Sequence, residues 1–166
     1  SDSRPDVAVL IGDDEALGGR ALFVASLLDQ FDHGRVIAVG AAGEGPRPEH
    51  HRITFVTGKA EDDEVVEQVE KLVNGDAVDV FLGLGSKPRI IAAFDRYAPL
   101  VRTGGYVVVE NTVLNGRPVA PEFGPGPHEA VAEILNTRSG FVPDPAYERY
   151  TITFNKNGYL RRTAKS

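Results

Sequence analysis

The sequence predicts an α/β protein built on a doubly wound, mostly parallel seven-stranded sheet that ends in an antiparallel hairpin. Three observations carry this expectation. Short apolar runs alternate with segments of helical periodicity along most of the chain. The runs are apolar at consecutive positions rather than at every second one, as strands covered on both faces require. Near the C-terminus, two strand-like segments flank Asn155-Lys156-Asn157-Gly158, and Asn-Gly is a strong hairpin signal.

The first strand is expected over 6–12, an apolar run ended by Gly12. Residues 16–31 follow as a helix, with Leu17, Ala21, Val24, Leu27, Leu28 and Phe31 at helical spacing. A second strand spans 35–40, a Gly/Pro-rich loop spans 41–51, and a third strand spans 53–57. Val65, Val66, Val69, Leu72 and Val73 make one face of the next helix. The fourth strand is expected over 77–84. Ser86 and Pro88 then supply a hydroxyl N-cap and a first-turn proline for a helix reaching Leu100. The fifth strand, 104–112, ends in Glu110-Asn111-Thr112. A helix over 127–136 precedes the hairpin, whose strands are expected at 147–154 and 159–162.

At 166 residues the chain is read as a single domain over 1–166, long enough to bury a core without staples. A net charge of −6, with 24 acidic and 18 basic residues, argues against nucleic acid, which calls for a basic stripe. The absence of cysteine excludes disulfides, thiolate nucleophiles and cysteine-based zinc sites, and suits a cytoplasmic protein. No apolar run approaches the ~20 residues that would span a bilayer, so no membrane partner is expected.

Four segments carry a family resemblance. They are 97–101, the strand Gly104-Gly105-Tyr106-Val107-Val108-Val109-Glu110-Asn111-Thr112, Phe123 to Val131, and Thr153 to Arg162. Their wording resembles the cephalosporin hydroxylase family, whose fold is that of class I S-adenosylmethionine-dependent methyltransferases and whose relatives include sugar O-methyltransferases. The match runs over nearly the whole chain and is strongest from Tyr97 onward. The family usually carries helical sequence before the first strand. Here Arg4-Pro5-Asp6 leads almost directly into it, so the chain is either a domain cut from a longer protein or one without that lid.

The resemblance also implies a site, from which this sequence departs. Acids at the ends of the family's fourth and fifth strands would hold Mg²⁺. The corresponding positions here are Gly83, Gly85, Glu110 and Asn111, a poor donor set for an ion that takes several oxygens in octahedral geometry. The cofactor turn corresponds to Gly12, Asp13, Gly18 and Gly19, and Gly83 is counted with them as a cofactor-binding candidate. The ribose-binding acid falls at Gly40, and an acid after the third strand falls at Lys59. Each lost charge-assisted hydrogen bond costs about 1.5–3 kcal/mol. S-adenosylmethionine binding is therefore expected to be weakened unless Asp13 or Glu44 compensates, and Mg²⁺ binding to be lost. Glu110, Asn111 and His128 are the candidate catalytic residues, with Glu110 or His128 as base. His50 and His51 sit in a proline-rich loop and are expected to be solvated rather than to converge on a metal.

Three readings follow. In the first, the chain is a family member whose metal and cofactor contacts have degenerated, a pseudoenzyme that assists a protein partner or self-associates. In the second, it is an active, metal-independent O-methyltransferase on a small natural product or sugar, as in secondary metabolism. In the third, the crevice serves other small-molecule chemistry through Lys59, Lys87 and Glu110.

Overall fold

In the computed structural model, the residues described are 5–12, 16–41, 47–110, 124–144 and 158–163. Seven strands form one sheet: β1 (Val7–Gly12), β2 (Arg35–Gly40), β3 (Ile53–Thr57), β4 (Val78–Gly83), β5 (Tyr106–Val109), β6 (Phe141–Pro143) and β7 (Tyr159–Arg162). Their spatial order is β3-β2-β1-β4-β5-β7-β6. The first five pair in parallel, while β7 runs antiparallel to both β5 and β6. The doubly wound expectation holds, with β1 and β4 at the point where strand order reverses.

Among the described residues the helices are α1 (Leu17–Phe31), α2 (Asp63–Val73), α3 (Lys87–Tyr97) and α4 (Pro127–Thr137), and a 3-10 turn at Ala98–Leu100 extends α3. The pleat sends alternate residues of each strand to opposite faces. Val7, Val9 and Ile11 join Val80 and Leu82 in the larger core, beneath α2, α3 and α4. Ala8, Leu10, Val36 and Ala38 face α1 instead, against Leu17, Ala21 and Ala25. Ser86 takes the N-cap position of α3 with extended backbone, but its hydroxyl makes no capping bond; Pro88 begins the helix as expected.

Two expectations need correction. Leu27 and Phe31 do not lie on the buried face of α1. They are 40% and 55% exposed, and with Phe23 at 66% they form an outward stripe at intervals of four residues. Small residues, Ala21 and Ala25, lie against the sheet instead, so the helix packs close and its bulky side chains turn out. The C-terminal hairpin also differs in register. Phe141 pairs with Arg162 and Pro143 with Leu160, so β6 lies earlier than 147–154, a segment outside the described residues. The other edge of β7 is taken by β5.

Candidate active site

Parallel strands present their carboxyl ends along one edge of the sheet, and α1 starts immediately above that edge. Gly12 and Gly83 are register partners at the ends of β1 and β4. Glu110 follows β5 directly, its backbone held by donation of its N–H to Leu82 O at 3.0 Å. This anchor delivers the carboxylate to the crevice. Its partner comes from α1: Arg20 Nη2 donates to Glu110 Oε1 at 2.5 Å, with side-chain exposures of 25% and 18%.

The glycines beneath this pair leave it room. A Cβ built on Gly83 would lie 2.6–2.9 Å from Arg20 Nη1, Nη2 and Cζ, and one on Gly12 would lie 3.0 Å from Nη1. The guanidinium therefore rests where a side chain at position 83 would begin. Sequence reasoning missed Arg20 because helical periodicity speaks only of apolar positions. One signal was available: a cation in the first turn of a helix opposes the helix dipole and calls for a compensating acid.

The ion pair forms the polar end of an open cavity of about 570 Å³. Leu10 and Phe81 from the sheet and Phe23 and Val24 from α1 make its apolar walls, with Ala16 and Gly19 at the helix start. A mostly apolar pocket with a few fixed polar groups is the usual form of a small-molecule site.

The other candidate residues are distributed as follows. Asn111 and Asp13 lie outside the described residues. Gly18 is buried in the first turn of α1, and Gly19 is exposed at the cavity. Gly40 is closed off: a Cβ there would lie 2.5 Å from Gly12 O and 2.7 Å from Leu17 Cδ2. Lys59 is exposed after β3. His128 is exposed in the first turn of α4 and lines a different depression, with Lys87, Glu129 and Glu133. Lys87 Nζ pairs there with Glu133 Oε1 at 3.1 Å. His128 thus does not line the cavity of Glu110, and Lys87 is engaged on α4.

His50 and His51 do converge, contrary to expectation. Their rings stack at 4.6 Å, and Nε2 of His50 and of His51 lie 2.9 and 3.4 Å from the two carboxylate oxygens of Asp29. Arg52 Nε donates to the same carboxylate at 2.6 Å and, ahead of the histidines, holds its pKa below the ordinary range. The three ligand atoms lie close enough for one metal ion. Their chemistry is against it. His50 Nδ1 accepts the backbone N–H of Arg52 at 3.1 Å, so the neutral ring carries its proton on Nε2, the atom a metal would need. The cluster is an ion-pair network pinning α1 to the loop before β3.

The family model described as rhamnosyl O-methyltransferase/CmcI matches residues 1–163. A rhamnosyl O-methyltransferase of Mycobacterium leprae is 31% identical over 167 residues, covering 96% of this chain and 72% of the relative. One of Mycobacterium bovis is 30% identical over 138 residues, covering 79% of this chain and 56% of the relative. The chain therefore spans only part of these proteins' length. Among solved structures, an apo form of CmcI aligns at a TM-score of 0.68 and 18% identity, over 97% of this chain and 66% of that one. CmcI with Mg and SAM aligns at 0.67 and 18%, over 96% and 66%. The MycE methyltransferase from the mycinamycin biosynthetic pathway, in complex with Mg, SAH and mycinamycin VI, aligns at 0.58 and 18%, over 80% and 36%. At these identities the structural likeness speaks for the fold, which is that of the class I methyltransferases. Sequence and family match agree on the rest: this chain belongs to the rhamnosyl O-methyltransferase/CmcI family.

Proposed function

We propose that this chain is the catalytic domain of an S-adenosylmethionine-dependent O-methyltransferase acting on a hydroxyl of a sugar or another small molecule. The observation that carries the reading is Glu110, fixed at the carboxyl end of β5 inside an apolar-walled cavity, in a chain matched to O-methyltransferases over 1–163. That match favours the active reading over the degenerate one. The acids missing at positions 40, 83 and 85 then mark a change in how the site is built.

S-adenosylmethionine, when bound, supplies an electrophilic methyl group. Gly19, exposed at the cavity with nothing above it, lets a ligand approach the backbone at the start of α1. A side chain at position 40 would meet Gly12 O and Leu17; Asp13 and Glu44, which lie outside the described residues, are the acids the sequence offers for the ribose hydroxyls in its place. Glu110 accepts the hydroxyl proton as the new carbon–oxygen bond forms. Leu10, Phe23 and Phe81 shield the reacting atoms from water and seat an apolar part of the acceptor. Among the described residues, no helix is long and apolar enough to cross a membrane.

Calorimetric titration with S-adenosylhomocysteine, with and without Mg²⁺, tests the reading. Micromolar binding independent of Mg²⁺, followed by methyl transfer to a panel of hydroxylated sugars, is the expected result. No binding at millimolar ligand would overturn it.

A further inference from the structure

Among the described residues, those at the sheet edge do not fit a divalent metal. Glu110 is the only carboxylate among the described residues lining the cavity, and a guanidinium already neutralises it. That guanidinium lies over Gly83, at a position where the family resemblance expects a metal-binding acid, and touches the space above Gly12 as well. A second cation there would face Arg20 at close range in a partly buried site, where charges of like sign repel strongly.

We propose that Arg20 is the resident cation of this crevice, taking the place of a divalent metal and offering its fork of donors to the acceptor oxygen. Two features of this chain combine to make this geometry. Glycine at positions 12 and 83, the latter where the family resemblance expects an acid, opens the floor, and a helix that starts directly above it supplies the charge. A guanidinium is planar, permanently charged and rich in N–H donors, so it can hold Glu110 and an acceptor oxygen together. As oxygen attacks, the sulfonium–methyl bond breaks to leave a neutral thioether, and the hydroxyl proton passes to Glu110. Arg20 stabilises negative charge gathering on the oxygen and is present before reaction begins, so no reorganisation is needed. The catalytic part of this inference rests on the methyl-transfer reading; the exclusion of metal does not.

The first test uses Mn²⁺ alone, followed by electron paramagnetic resonance, on the wild type, Arg20→Ala and Arg20→Ala/Gly83→Asp. The double variant is expected to bind Mn²⁺ at least about 10-fold more tightly than the wild type, a cation having been exchanged for a carboxylate. Wild-type binding as tight as the double variant's, abolished by Glu110→Gln, would overturn the proposal. A second test needs no ligand. The methyl of Gly83→Ala should dislodge the guanidinium, destabilising the wild type but not the Arg20→Ala background. Equal effects in both backgrounds would overturn the placement. Neither measurement involves cofactor or acceptor, so both still decide the position of Arg20 if the methyl-transfer reading fails. In turnover, a chelator should leave the wild type unchanged, while Arg20→Ala lowers kcat about 10²-fold and is not rescued by Mg²⁺. Activity abolished by the chelator would also overturn it.

Discussion

Asp79 on β4 accepts the backbone N–H of Tyr106, the first residue of β5, at 2.9 Å. The carboxyl replaces a ladder partner at the start of the two strands that together deliver Glu110. It is 8% exposed, and burial pushes its pKa from 3.8 up to about 6, against the opposing effects of the Tyr106 N–H and the Arg102 charge. Between those two values the folded chain keeps a proton that the unfolded chain has lost. This group's contribution therefore falls as pH rises through that window. Asp79→Asn keeps an oxygen for Tyr106 and removes the charge. The variant should exceed the wild type in stability by about 1–3 kcal/mol at neutral pH, with the gap closing towards pH ~4. Urea midpoints across that range would measure it; a constant gap would contradict the assignment.

Tyr97 is fully buried, and its hydroxyl donates to Ala60 O at 2.7 Å, tying the end of α3 to the turn before α2. Burial raises its pKa well above the ordinary 10.0, so it remains a donor at every working pH. Tyr97→Phe leaves a buried carbonyl without this donor and should cost about 1–3 kcal/mol in chemical denaturation.

Restoring the ribose acid at the end of β2 should fail. Gly40→Asp places its Cβ against Gly12 O, which is backbone and cannot swing aside as a side-chain end can. We expect a loss of about 1–3 kcal/mol in stability and no gain in S-adenosylhomocysteine affinity. Tighter binding by this variant would mean that β1 and β2 separate more easily than their packing implies.

The Asp29 network gives a different pH response. Arg52 first, then His50 and His51, hold the folded carboxyl below 3.8, so its support is present above that value and is lost as pH falls through the folded pKa. Asp29→Asn should flatten the acid limb of the stability curve. Added Zn²⁺ should not raise the Tm of the wild type, because His50 Nδ1 is committed to the Arg52 N–H. A Zn²⁺-induced rise abolished by His50→Ala would refute this.

The fold was legible because strands buried on both faces read as nearly continuous apolar runs: Val7–Gly12 is unbroken, Arg35–Gly40 is apolar after its first residue, and Val78–Gly83 is interrupted only by Asp79. Amphipathic spacing also served for α2, where Val65, Val66, Val69 and Val73 are buried as expected. It misled for α1, since apolar spacing alone does not say whether Ala25 or Phe31 meets the sheet. β7 pairs antiparallel as expected, but residues 155–157 of the Asn-Gly turn lie outside the described residues, and register depends on strands that short-range sequence does not name. At the site, Glu110 was legible from its place at the end of an apolar strand. Arg20 was not, because its partner is 90 residues away and only the topology brings them together.

The bare edge formed by Gly12, Gly40 and Gly83 also bears on the evolutionary reversibility of this site. Glycine and acidic-residue codons differ by a single base, so an acid could reappear by mutation at position 40 or 83. Their surroundings are unequal. Position 40 faces backbone, while position 83 faces the movable end of Arg20. Selection could therefore restore a carboxylate at β4 by letting one side chain swing away, whereas at β2 the sheet itself would have to yield.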